Sequence, residues 1–127
     1  MELGPLEQRV LDLLWTHPGT VSVREAQSAL ADGLAYTTVM TTLDRLYKKG
    51  LLLRQRDGRA FRYLARTSRE AFAAGLLRRS LGRLLRGSPE PLLASLVDAV
   101  GEHDRELLPE LQRLIREKER ALRRRDE

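Results

Sequence analysis

Between residues 36 and 49 the chain reads YTTVMTTLDRLYKK. Four threonines at 37, 38, 41 and 42 stand beside Arg45, Lys48 and Lys49. A threonine hydroxyl can bond a phosphate oxygen or a base edge, and its methyl group can meet the methyl of thymine. Arginine and lysine neutralise phosphate. Threonine is a poor choice for a helix that needs only stability, because its branching restricts χ1 and its hydroxyl competes for the backbone. On a helical wheel at 100° per residue with Val39 at zero, Tyr36, Leu43, Leu46 and Gly50 fall within about 60° of it. Lys48, Thr37, Thr41 and Asp44 lie opposite, flanked by Arg45 and Thr38. The outward row Thr37, Thr38, Thr41, Arg45 and Lys48 is expected to read a major groove.

A second chemical signal follows. The segment LLLRQRDGRAFRYL reads as two strands, 51–56 and 59–64, joined by Asp57-Gly58, a strong hairpin signal. This reading sets Arg56 opposite Arg59 and Arg54 opposite Phe61. Like charges facing across a ladder are destabilising, so an anion between them in use is expected. Leu52, Phe61 and Tyr63 supply the hairpin's buried side. Residues 36–66 carry eight basic side chains against Asp44 and Asp57, whereas residues 1–35 carry Arg9 and Arg24 against five acids. The net charge of +5 is thus concentrated in one stretch. A polyanion-binding surface has this character, and so has a solvated basic face.

Other chemistries lack their residues. The 127-residue chain has no cysteine, which removes disulfides, thiolate metal sites and cysteine nucleophiles. His17 and His103 are the only histidines, each expected at the surface, and no metal set is assembled from them. There is no P-loop, no G-x-G-x-x-G and no G-x-S-x-G. No catalytic residue and no cofactor are expected. The start, MELGPLEQ, lacks the pattern of a signal peptide, and no apolar run approaches the roughly 20 residues of a membrane span. A cytoplasmic protein is expected.

The elements that must position these residues can be read in order. Leu6, Val10, Leu13 and Leu14 mark a helix over 5–16, with Leu11 and Trp15 on its other side. A helix with two apolar sides is buried twice or meets a partner. Thr20-Val21-Ser22 is a short extended piece. Ser22 and Glu25 form a capping box for a second helix with Val23, Ala26, Gln27 and Leu30 inward, closed by Asp32-Gly33. The third helix spans 36–49 and ends at Gly50. Three helices and a hairpin in this order make a winged helix-turn-helix.

The second half reads as three amphipathic helices. One opens at a capping box from Thr67 to Glu70, one after Gly87-Ser88-Pro89, and one after Gly101-Glu102-His103-Asp104. The last is expected to end in a frayed ERALRRRDE tail, with Arg123-Arg124-Arg125 solvated. Sixty-one residues so arranged bury too little surface alone, so a second copy of the chain is expected to cover them. Leu76, Leu77, Leu93, Leu96, Leu111 and Ile115 are the expected core or dimerisation residues. A fold-back of these helices onto Leu11 and Trp15 is the alternative.

The stretches LAYTTVMTTLDRLYKKGLL and RDGRAFRY resemble the BlaI/MecI (penicillinase repressor) family of bacterial transcriptional regulators. LGPLEQRVLDLLW, VSVREAQSAL and GSPEPLLASLV resemble it too, so nearly the whole chain is covered. The resemblance implies a homodimeric repressor on a pseudo-palindromic operator, with reading residues at Thr37, Thr38, Met40, Thr41 and Arg45. In one branch a membrane metalloprotease sensor triggers cleavage at an Asn–hydrophobic bond. The matching position here is Ser95-Leu96, with serine in place of asparagine. Another branch senses copper through a cysteine motif that this chain lacks.

The expected architecture is mainly α: a winged helix-turn-helix with a small hairpin wing over 1–66, then a three-helix dimerisation domain over 67–127. The expected DNA-binding set is Thr37, Thr38, Met40, Thr41, Arg45, Lys48, Lys49, Arg54, Arg56 and Arg59. The expected partners are an operator duplex, a second copy of the chain and the metalloprotease sensor or its pathway. A winged-helix module that docks a protein without reading DNA is the competing expectation, and it would need an apolar outer side on the third helix.

Overall fold

Apolar residues recur at three- and four-residue spacing through most of the chain, and helices form where they do. The computed structural model describes residues 2–127. The order is α1 (Pro5–Thr16), β1 (Val21–Ser22), α2 (Val23–Leu30), α3 (Tyr36–Lys48), β2 (Leu52–Asp57), β3 (Ala60–Ala65), α4 (Arg69–Leu84), α5 (Pro89–His103) and α6 (Leu107–Asp126). Helix, helix, helix and hairpin is a winged-helix arrangement, as expected. None of the described helices is long and apolar enough to cross a membrane.

The short piece before α2 is more than a linker. β1 pairs antiparallel with β3, giving a three-stranded sheet in the order β1-β3-β2. Arg62 on β3 fastens the joint: its Nε donates to Thr20 Oγ1 (2.8 Å), and its guanidinium pairs with Glu25 on α2 (2.8 Å). Ser22 caps α2 by accepting from the Glu25 N–H (3.1 Å). The Arg62 cation holds the Glu25 carboxyl below its usual range.

One core ties this first unit together. Val10, Leu11 and Leu14 of α1, Val23, Ala26 and Leu30 of α2, and Val39, Leu43 and Leu46 of α3 are buried with Val21, Leu52 and Tyr63 of the sheet. α1 is indeed buried on both sides. Leu11 is fully enclosed, and Trp15 donates its indole N–H to Thr67 O (2.9 Å) and meets the Phe72 ring at 5.4 Å. These contacts explain where the chain divides. It packs as two units, one ending at Arg78 and the other beginning at Arg79, within α4. The cap of α4 also moves by one residue. Ser68, not Thr67, accepts from the Ala71 N–H (3.1 Å), while the Thr67 carbonyl is taken by Trp15.

The second unit holds α5 and α6. Gly101 lets them approach closely: a Cβ there would lie 3.1 Å from Leu108 Cδ1. Asp104 Oδ1 accepts from the Glu106 N–H (2.9 Å) and shapes the turn. The expected frayed tail is instead helix as far as Asp126. Its Arg and Leu residues are good helix formers, and Arg123, Arg124 and Arg125 suit the negative end of the helix dipole. His17 corrects another expectation: it is half-buried, and its Nδ1 is enclosed without a hydrogen-bond partner.

The turn between α2 and α3 sets the angle of the helix pair. Ala31 closes α2 with φ 55°, a left-handed conformation costly to any residue with a Cβ. Ala31→Gly is expected to raise stability by about 0.5–1 kcal/mol, because glycine adopts this conformation freely. Thermal unfolding at matched protein concentration checks this, and an unchanged or lower midpoint would show that Ala31 sits there without strain.

Candidate nucleic-acid interface

α3 is the centre of the site, and its two sides differ as the wheel requires. Val39, Leu43 and Leu46 are buried; Thr37, Thr38, Thr41, Arg45 and Lys48 are exposed. Met40 lies beside them and is 41% exposed. Thr42 is different. It is buried, and its hydroxyl donates to Thr38 O (2.8 Å), the back-bond a helical threonine makes when it faces inward. Three of the four threonines therefore face outward. No side chain caps the start of α3, and no acid stands in its first turn. The leading N–H groups of the helix keep their partial positive charge.

The wing differs from expectation in register. Asp57 pairs with Ala60, Arg56 with Phe61, Gln55 with Arg62 and Arg54 with Tyr63. The two turn residues are thus Gly58 and Arg59, not Asp57 and Gly58. Gly58 has φ +64° and takes the first central position, where a II′ turn requires glycine. Each residue now faces a partner two places further along, so the faces are unchanged while the cross-strand pairs are new. Arg56 and Arg59 do not oppose each other, and repulsion across the ladder gives no reason for an anion there. Both remain exposed at the tip.

The register places Arg54 on the inner side. Its guanidinium lies 3.9 Å from the Tyr47 ring centroid and 4.0 Å from that of Phe61, and it pairs with Asp44 at 3.4 Å. Asp44 also holds Lys48 at 2.9 Å. Lys49, at the end of α3, donates to Glu7 Oε2 on α1 (2.7 Å). The basic cluster therefore sorts into two groups. Lys48, Lys49, Arg54 and Arg62 are paired within the chain. Arg45, Arg56, Arg59 and Arg66 make no ion pair among the described residues. Wheel and hairpin arithmetic could not make this distinction, because it depends on contacts between elements. The one hint in the sequence was the position of Arg54 two residues after Leu52, on the same face of β2.

Start of α1 and outer face of α3 line a shared cleft. Gly4, Pro5, Leu6 and Glu7 form one wall; Thr37, Thr38, Thr41, Thr42 and Arg45 form the other. Glu7 Oε1 accepts from the Gly4 N–H (3.1 Å), completing a cap for α1. The bond from Lys49, and then the bond from Gly4, hold the Glu7 carboxyl below its ordinary value of 4.5. Because the folded state lowers this value, Glu7 contributes stability above about pH 4.5 and loses it as pH falls through the folded value. Glu7→Gln is expected to unfold at lower temperature than the parent at pH 7, with the gap closing toward pH 3. A gap independent of pH would show that the charge on Glu7 plays no part.

The residues expected in the helical half are mostly uncovered. Leu77 is 53% exposed, Leu93 49% and Ile115 50%; Leu76 is also exposed, while Leu96 and Leu111 are half-buried. No residue of α4, α5 or α6 is fully buried among the described residues. Ser95 and Leu96 lie within α5, with Ser95 exposed.

Several known proteins are similar to this chain. The penicillinase repressor family matches residues 3–117. The transcriptional regulator BlaI of Mycobacterium tuberculosis (strain CDC 1551 / Oshkosh) is 46% identical over 110 residues, spanning 84% of this chain and 79% of that protein. Among solved structures, a MarR family protein from Bacillus stearothermophilus is 20% identical with a TM-score of 0.48, covering 84% of this chain and 76% of its own. With nearly its whole length matched and the winged helix in place, this chain belongs to the penicillinase repressor family: it is a transcriptional regulator of the BlaI type, not an enzyme.

Proposed function

We propose that the protein represses transcription as a homodimer bound to a pseudo-palindromic operator, with α3 in the major groove and the wing on the adjoining backbone or minor groove. The observation that carries this reading is the division of α3. One side is locked into the core by Val39, Leu43 and Leu46, and the other presents Thr37, Thr38, Thr41 and Arg45 to solvent. In this reading Thr37, Thr38, Thr41 and Arg45 meet base edges, with Met40 alongside. Arg56 and Arg59 at the wing tip, and Lys48 on α3, meet phosphates. The uncapped start of α3 suits a phosphate as well. A polar outer side on α3 favours DNA over a protein partner.

The second half supports the dimer. Exposed Leu93, Val97, Ile115 and Leu122 leave an apolar surface that water solvates poorly. A second copy of the chain covers it with a self-complementary surface. Two joined winged helices then meet two half-sites, and the second contact gains from effective concentration.

Thr41→Ala is expected to relax specificity at one base pair by about 1–3 kcal/mol while binding at other positions is retained. Arg59→Ala is expected to weaken all sequences alike and to make the slope of log K on log salt shallower by about one unit. Gel retardation across a salt series measures both. Parent-like behaviour of Thr41→Ala on every sequence would remove α3 from the groove, and an unchanged slope for Arg59→Ala would remove the wing from the backbone. Ile115→Glu should shift the protein toward monomer in sedimentation equilibrium and abolish cooperative binding to paired half-sites; a stable dimer would place the interface elsewhere.

A further inference from the structure

Arg54 belongs to the wing in sequence and to α3 in contact. Its guanidinium is sandwiched between the rings of Tyr47 on α3 (3.9 Å) and Phe61 on β3 (4.0 Å). It reaches Asp44 on the outer flank of α3 (3.4 Å), and Asp44 in turn holds Lys48 (2.9 Å). The far end of the same stack touches the wing tip, where the Arg56 guanidinium lies 5.8 Å from the Phe61 ring. A continuous chain of contacts thus runs from α3 through Asp44, Tyr47, Arg54 and Phe61 to Arg56. The Arg54 side chain is only 27% exposed, so its charge is largely committed inside the protein.

We infer that Arg54 is a positioning residue, which fixes the angle between the wing and α3 so that the wing-tip arginines reach the backbone while α3 occupies the groove. The inference rests on the DNA-reading function proposed above. β1 and Arg62 anchor the base of the hairpin through β3, but from Arg54 and Phe61 to the tip only the β2–β3 ladder would hold it, and two strands without a further anchor are marginal. The planar guanidinium supplies that anchor in two ways at once. Its central carbon lies over two rings, and one of its nitrogens pairs with a carboxylate on the helix. Lysine has the charge but not the plane, and methionine has the stem but neither.

A double-mutant cycle on the full-length protein tests this, using a duplex that the parent itself enriches from a random pool. Arg54→Met is expected to weaken binding about tenfold and to make the salt slope shallower by as much as removal of the wing-tip arginines does. In the Arg54→Met background, Arg59→Ala should then cost less than about twofold, whereas Arg45→Ala should cost as much as in the parent. Arg54→Lys should restore binding only in part. Circular dichroism and thermal unfolding establish that each variant is folded; if Arg54→Met is not, Asp44→Asn enters the cycle in its place. Full additivity of Arg54→Met and Arg59→Ala would overturn the inference and make Arg54 a direct phosphate contact. Equal loss of the Arg45 and Arg59 effects would overturn it too, since Arg54 would then support the whole unit rather than the wing. Should neither Arg45→Ala nor Arg59→Ala weaken the parent, the DNA-reading function itself falls, a result distinct from failure of the cycle.

Discussion

Everything at the candidate interface depends on how firmly one helix is held from behind. Val39, Leu43 and Leu46 are wholly buried against α1, α2 and the sheet, and they fix both the rotation and the height of α3. Rotation matters most. A turn of one residue, about 100°, would carry Thr41 and Arg45 off the outer face and push a leucine toward solvent. The core thus does for recognition what no polar contact at the surface could do. It selects which side of a polar, threonine-rich helix is offered to a partner. Lys49 on Glu7 ties the end of that helix to α1.

Charge in this protein has two uses that composition cannot separate. Paired cations hold elements together: Arg62 joins the sheet to α2, Lys49 joins α3 to α1, and Arg54 joins the wing to α3. Exposed pairs of this kind are worth little each, but those wedged between elements also restrict geometry. Unpaired cations, Arg45, Arg56 and Arg59, project from the surface so held. The first set shapes the surface, and the second is free of ion pairs within the described residues.

The general plan was legible because it rests on local rules. Helical spacing, Gly50 after α3 and the Asp-Gly signal gave the winged helix and the outer row of α3. The misreadings arose where contacts between elements decide. The hairpin register turned on which of two adjacent positions Gly58 would occupy in the turn, and the pairing of Asp57 with Ala60 settles it. The inward setting of Arg54 needed the aromatic rings of two other elements. The cap of α4 moved to Ser68 because Trp15, fifty-two residues away, claims the carbonyl of Thr67. The pairing of β1 with β3 was hidden because a two-residue strand carries no periodicity.

The central claim is that this surface reads sequence, and as a dimer. Selection of bound duplexes from a random pool by the purified full-length protein, at low and at physiological salt, tests it most directly. The account predicts enrichment of an inverted repeat at both salts, because base contacts persist when the phosphate contribution is screened. Retention at low salt alone, with no common motif, would contradict it and leave a basic surface without sequence readout.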